Sequence, residues 1–185
     1  MKRYLARTLP VLALAVTLSA CSMFAAPNAN RLLFGLTPTN ELGYEVSTGG
    51  EITITNRNMV ISTRAGSPVT TVTGYHVEYY NASGALVGAT YDDPRSLNIT
   101  LPAGFTCTAP DPVLGCTSLS AGARPGPGTA VEVAGVSSQF LNVDIAQQHI
   151  GAGFPSGWYA AITLFYDNAF GAFSQTYNVA IVAPN

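Results

Sequence analysis

Charge is what this chain of 185 residues has least of: 10% of it is Asp, Glu, Lys or Arg, against about 25% in an ordinary soluble domain. Lys2 is the single lysine. Long charged helices, coiled coils and a polybasic nucleic-acid surface are thereby excluded. Low hydrophobicity combined with high charge is missing too, which excludes general disorder. No apolar run reaches the roughly 20 residues of a membrane-spanning helix; the stretch Leu9 to Leu18 has ten. Hydrolase signatures are absent: there is no Gly-x-Ser-x-Gly, no Ser-x-x-Lys and no His-Glu-x-x-His. Histidines number two and cysteines three, a small stock for metal chemistry.

What is present begins with a leader. Lys2, Arg3 and Arg7 form a positive region, the ten-residue apolar run follows, and Leu18-Ser19-Ala20-Cys21 closes it. This arrangement reads as a signal peptide rather than as folded structure. The last four residues closely resemble the lipobox of bacterial lipoproteins. The resemblance implies a diacylglyceryl thioether on Cys21, cleavage after Ala20, and a further acyl chain, of the palmitate kind, on the new amino terminus. One acyl chain anchors only marginally, at about 0.8 kcal/mol per buried CH₂, whereas two or three hold firmly. The alternative is an ordinary secretory signal that leaves Cys21 as a stray thiol. Ser22 stands where an Asp would favour inner-membrane retention, so the expected location is the cell envelope, at the outer membrane or cell surface. Loss of the leader leaves five arginines against ten acidic residues, a net charge of −5. That sign disfavours nucleic acid and anionic headgroups as partners.

The expected organisation is a signal peptide over 1–20, a lipidated cysteine and tether over 21–30, and one domain over 31–185. With Cys21 lipidated, Cys107 and Cys116 remain. In an exported chain such a pair is normally a disulfide. Closing this loop would stabilise the fold by about 2–3 kcal/mol. A redox pair would need Cys-x-x-Cys beside a helix start, and that spacing is absent.

The dominant local signal is strand. Tyr75, Val77 and Tyr79 alternate with His76 and Glu78; Asn81-Ala82-Ser83-Gly84 is turn chemistry, and 85–91 returns, so 71–91 reads as a hairpin. Segments 51–55, 59–63, 97–101, 131–133, 140–145, 158–166 and 173–182 also read as strands. Leu32 to Leu36 is ambiguous between strand and short helix, and 146–149 reads as one helical turn. The expected fold is an antiparallel all-β sandwich of about seven to nine strands. The element order, Tyr75 to Tyr79, and the hairpin from Trp158 through Ser174 resemble immunoglobulin and fibronectin type III domains. That resemblance concerns fold alone. The inter-sheet cysteines of antibody domains are absent, and segment 102–128 is longer and richer in Pro and Gly than the standard fold.

Few residues suggest chemistry. His76 with Glu78, and His149 near Asp144, would have to converge to hold a metal, so the expectation is no metal and no cofactor. Asp92-Asp93 before Pro94 reads as a turn; calcium needs six to eight oxygens. Gly122 to Gly128 is no phosphate cradle, since its prolines lack backbone donors. Asn81 and Asn98 sit in glycosylation-type triplets that carry no expectation in a bacterial lipoprotein. Aromatics at turns and strand ends, namely Tyr80, Tyr91, Trp158, Phe170 and Phe173, would form either a stacking platform or ordinary sandwich core. Among them Tyr80, Tyr91, Trp158 and Phe170 are the candidate binding residues, and loop 102–128 is the other candidate surface. The expectation is a non-enzymatic, lipid-anchored envelope protein with a structural or adhesive role. Its partners would be the membrane, through Cys21, and another envelope or surface-layer protein. The alternative is a glycan- or small-ligand-binding module.

Overall fold

The alternation at 75–79 sits in the middle of an eleven-residue strand, β6 (Thr70–Tyr80). In the computed structural model, which describes residues 32–89, 94–113 and 115–184, Tyr75, Val77 and Tyr79 are buried while His76, Glu78 and Tyr80 are half-exposed. Strand β12 (Tyr159–Asn168) pairs antiparallel with β6, and β13 (Gly171–Ile181) pairs antiparallel with β12. On the far side of β6 lie β7 (Leu86–Ala89) and β8 (Arg95–Leu101), both antiparallel to it. The short β2 (Glu41–Leu42) adds in parallel to the end of β13, completing a six-stranded sheet.

The second sheet is antiparallel, in the order β1 (Leu32–Thr37), β5 (Asn58–Thr63), β11 (Val131–Val133). Leu32, Leu36, Met59 and Ile61 from this sheet meet Val72, Val77, Tyr79, Ile162, Leu164 and Val179 from the other in one buried cluster. Burying each such side chain is worth about 1.5–3 kcal/mol. Two packed sheets, the larger with the central order β13, β12, β6, β7, give an all-β sandwich built almost wholly of antiparallel pairs.

Thirteen strands occur among the described residues rather than seven to nine. Strands β4 (Ile52–Ile54) and β11 fall where 51–55 and 131–133 read as strands, and the surplus consists of β1 and four two- and three-residue pieces too short to show periodicity: β2, β3 (Tyr44–Val46), β9 (Phe105–Thr106) and β10 (Arg124–Pro125). Strands β3 and β4 form their own hairpin, as do β9 and β10. Segment 32–36 is strand, resolving its ambiguity.

Segment 140–145 is not a strand. Phe140 ends the short helix α1 (Ser137–Phe140), and α2 (Val143–Gly151) follows at once. Asn142 caps α2: its side chain accepts from the Ile145 backbone N–H at 2.8 Å. Within α2, Ile145, Ala146 and His149 are buried, and this i, i+1, i+4 helical face overrides the partial alternation. No helix among the described residues is long and apolar enough to cross a membrane.

Candidate binding site

Segment 102–128 leaves the sandwich after β8 and returns to it before β11. Gly104 fastens it. Its N–H donates to Ser67 O at 2.8 Å, and its carbonyl accepts from Gly66 at 2.6 Å and Gly126 at 3.1 Å. A Cβ at this position would collide with the carbonyl oxygen of Arg64. Gly128 does the same at the other end: its N–H donates to Thr63 O at 3.0 Å, and a side chain there would run into the Thr63 hydroxyl. The glycines are thus where loop backbone lies against sandwich backbone.

Beyond Gly104 the β9–β10 hairpin places Phe105 opposite Pro125 and Thr106 opposite Arg124. Cys107 and Cys116 are joined in a disulfide with Cα atoms 5.6 Å apart. Within that ring Asp111 and Gly115 exchange two backbone hydrogen bonds of 2.9 and 3.0 Å, and Gly115 has a positive φ of 69°. The Asp111 carboxylate accepts from the Val113 N–H at 2.8 Å, tightening the turn. Thr108 is tied to Ala121 by its N–H and by its hydroxyl, at 3.2 and 2.9 Å.

Between this ring and the sandwich lies a cleft of about 480 Å³. Phe105, Pro102, Pro110, Pro112 and Pro127 supply much of its wall, Val69 and Thr129 come from segments that lead into β6 and β11, and among the described residues Asp111 is the one charged residue on its lining. Val113 on its rim is 87% exposed, and Leu119 in the adjoining turn 95%. Such a lining offers van der Waals surface, a few hydroxyls and carbonyls, and little charge. It suits an apolar side chain or a tight turn of a partner.

The three aromatic candidates among the described residues do not share one surface. Trp158 is only 6% exposed and packs in the core against His149, with ring centroids 5.1 Å apart. Phe170, 57% exposed, sits in the β12–β13 turn. Tyr80 lies beside the opposite end of β12, some ten residues or about 30 Å away. Tyr91, like Asp92-Asp93, lies outside the described residues. Phe173 is half-buried and stacks on Tyr166 at 5.8 Å. Tyr80 instead stacks on Tyr159, with centroids 5.2 Å apart and planes 13° apart, and donates its hydroxyl hydrogen to Glu78 at 3.0 Å. That bond, foremost, raises the Tyr80 pKa above the ordinary phenol value. Tyr159 escaped notice in the sequence because it hides in an apolar run, although the burial of Trp158 inward obliges Tyr159 outward.

His76 and Glu78 are neighbours on the same sheet face, 4.0 Å apart. His149 is buried elsewhere, its Nδ1 2.9 Å from the Tyr44 hydroxyl and its Nε2 2.9 Å from the Pro155 carbonyl. Asp144, in the first turn of α2, is exposed. Among the described residues no three His, Cys, Asp or Glu side chains converge as metal ligands. Comparison of the chain with protein-family models and with curated proteins finds no match.

Proposed function

We propose that this is a non-enzymatic, lipid-anchored protein of the cell envelope, held on the membrane through Cys21, whose 102–128 segment docks on another envelope or surface-layer protein. The observation that carries the docking reading is the cleft beneath the Cys107–Cys116 ring, lined by prolines, Phe105 and threonines with little charge, rimmed by exposed Val113 and braced by the disulfide. A braced loop loses less conformational entropy on contact, so more of its contact energy is available for affinity. The anchoring reading rests on the leader and on Leu18-Ser19-Ala20-Cys21.

The test replaces 108–113 by a Gly-Ser linker in the full chain and measures capture of envelope proteins alongside thermal melting. Capture should fall strongly while the sandwich still melts cooperatively. Unchanged capture would defeat the docking reading. Cys21→Ser should move the protein from the membrane fraction to the aqueous one, and unchanged retention would defeat the anchor.

One observation favours a second reading, a glycan-binding module. The stacked Tyr80–Tyr159 pair, with Glu78 and His76 beside it, occupies the outer face of the large sheet. Tyr159→Ala would abolish binding to an immobilised polysaccharide on that reading and leave protein capture untouched on the first.

A further inference from the structure

Among the described residues, one strand of the large sheet leaves most of its outward backbone groups without a hydrogen-bond partner. Asn168 and Gly171 close the β12–β13 hairpin, and the two strands pair in unbroken register from there to Tyr159 and Ala180. Ile181 N–H donates to Trp158 O on the β12 side, whereas Val182 N–H donates to Leu42 O on the β2 side. Backbone groups alternate along a strand. The odd residues of β13 therefore face β12, and Ala172, Ser174, Thr176 and Asn178 turn their N–H and C=O groups away from it. Strand β2 covers that edge only at Ala180 and Ile181. Among the described residues no hydrogen bond to the outward backbone of the four even residues is found.

Natural edges are commonly guarded by lysine, proline, a bulge or brevity. This one has none of these. Residues 168–185 contain no charged side chain, Gly171 to Ile181 contain no proline, and the pairing with β12 shows no bulge along β13. The open window from Gly171 to Asn178 is roughly 26 Å long at 3.3 Å per residue.

We propose that this edge is a strand-addition surface for a second copy of the chain, the two β13 strands pairing antiparallel about a two-fold axis at Gln175. The window matches itself in that register. Ala172 lies opposite Asn178 of the second copy and Ser174 opposite Thr176, each pair exchanging two hydrogen bonds. Ala180, where β2 begins to cover the edge, falls opposite position 170, where the other strand has already ended in its turn. Each copy's β2 thus stops where its neighbour's strand stops. No like charges are brought face to face, which a symmetric pairing of charged edges would entail. The result is an isologous dimer with one sheet running through both subunits.

The full chain, purified in detergent, tests this by light scattering across a concentration series with hydrogen exchange at each point. The expected result is a concentration-dependent dimer in which the amides of residues 172, 174, 176 and 178 slow by about tenfold or more relative to the dilute monomer. Ser174→Pro removes one outward N–H while sparing the β12 ladder; it should shift the equilibrium to monomer with the melting temperature of the monomer retained. A monomer at every concentration, a dimer whose four amides stay fast, or protection that ignores concentration would each overturn the proposal. The last would mean that something other than a second copy covers the edge. Should Ser174→Pro fail to fold, exchange on the unaltered chain decides alone.

Discussion

The hydroxyl of Tyr44 and Nδ1 of His149 lie 2.9 Å apart in the interior, linking the β3–β4 hairpin to helix α2 across 105 positions of sequence. The other ring nitrogen faces the carbonyl of Pro155 at 2.9 Å. A carbonyl only accepts, so Nε2 carries the hydrogen, and in the neutral ring Nδ1 accepts from Tyr44. Trp158 and Phe154 pack around the same imidazole. This histidine is a structural staple with both nitrogens occupied. Tyr44→Phe leaves a buried acceptor without a donor and should destabilise the fold by about 1–3 kcal/mol, read as a lowered denaturation midpoint. An unchanged midpoint would mean that the hairpin is held by packing alone.

Trp158→Ala should cost about 3–5 kcal/mol of stability, the usual range for emptying a large buried aromatic site. Tyr159→Ala, on the outer face, should cost far less. Denaturant titration of the two variants checks the ordering. Equal losses would place both rings in the core.

Gly104→Ala forces a methyl group against the Arg64 carbonyl, and backbone cannot yield as a side-chain end can. A loss of about 1–3 kcal/mol is expected, as for other overpacked sites. Hydrogen exchange should localise it to Gly66, Gly104 and Gly126, whose amides tie the loop to the sandwich.

Alkaline pH should unfold the protein early. Tyr177 is half-buried with its hydroxyl donating to Leu32 O at 2.9 Å, and burial pushes its pKa well above the ordinary value of 10.0. Burial raises Tyr44 in the same direction. Above pH 10 the unfolded chain releases these protons while the folded chain holds them. The unfolded state then binds fewer protons, and stability falls as pH rises. Urea midpoints measured between pH 8 and 11 should be flat at first and drop beyond about pH 10, and Tyr177→Phe should shrink the drop.

Much of the sandwich is legible in the amino-acid sequence because one face of each long strand is buried. At 75–79 the alternation of Tyr75, Val77 and Tyr79 with His76 and Glu78 mirrors their burial. Where burial is not one-sided, legibility fails. Residues 140–145 carry apolar side chains at 140, 141, 143 and 145, compatible with strand until Asn142 is recognised as a helix cap and His149 as sharing the buried face of α2 with Ile145 and Ala146. The Pro- and Gly-rich composition of 102–128 marks a loop and its cysteines mark a closed ring, but Val69 and Thr129, which complete the cleft, are brought there by tertiary folding. No local pattern announces them. Trp158 illustrates the reverse case: a turn-flanking position suggests exposure, and packing on His149 decides otherwise.

The most direct test of docking through the cleft is site-specific photo-crosslinking in cells that make the full chain. A photoreactive side chain is placed at Val113 or Leu119, and at exposed Val46 and Phe170 as controls. The account predicts one adduct of defined mass at 113 and 119, absent at 46 and 170 and lost when 108–112 is replaced by Gly-Ser. Adducts at 46 or 170 but none at 113 and 119 would contradict it.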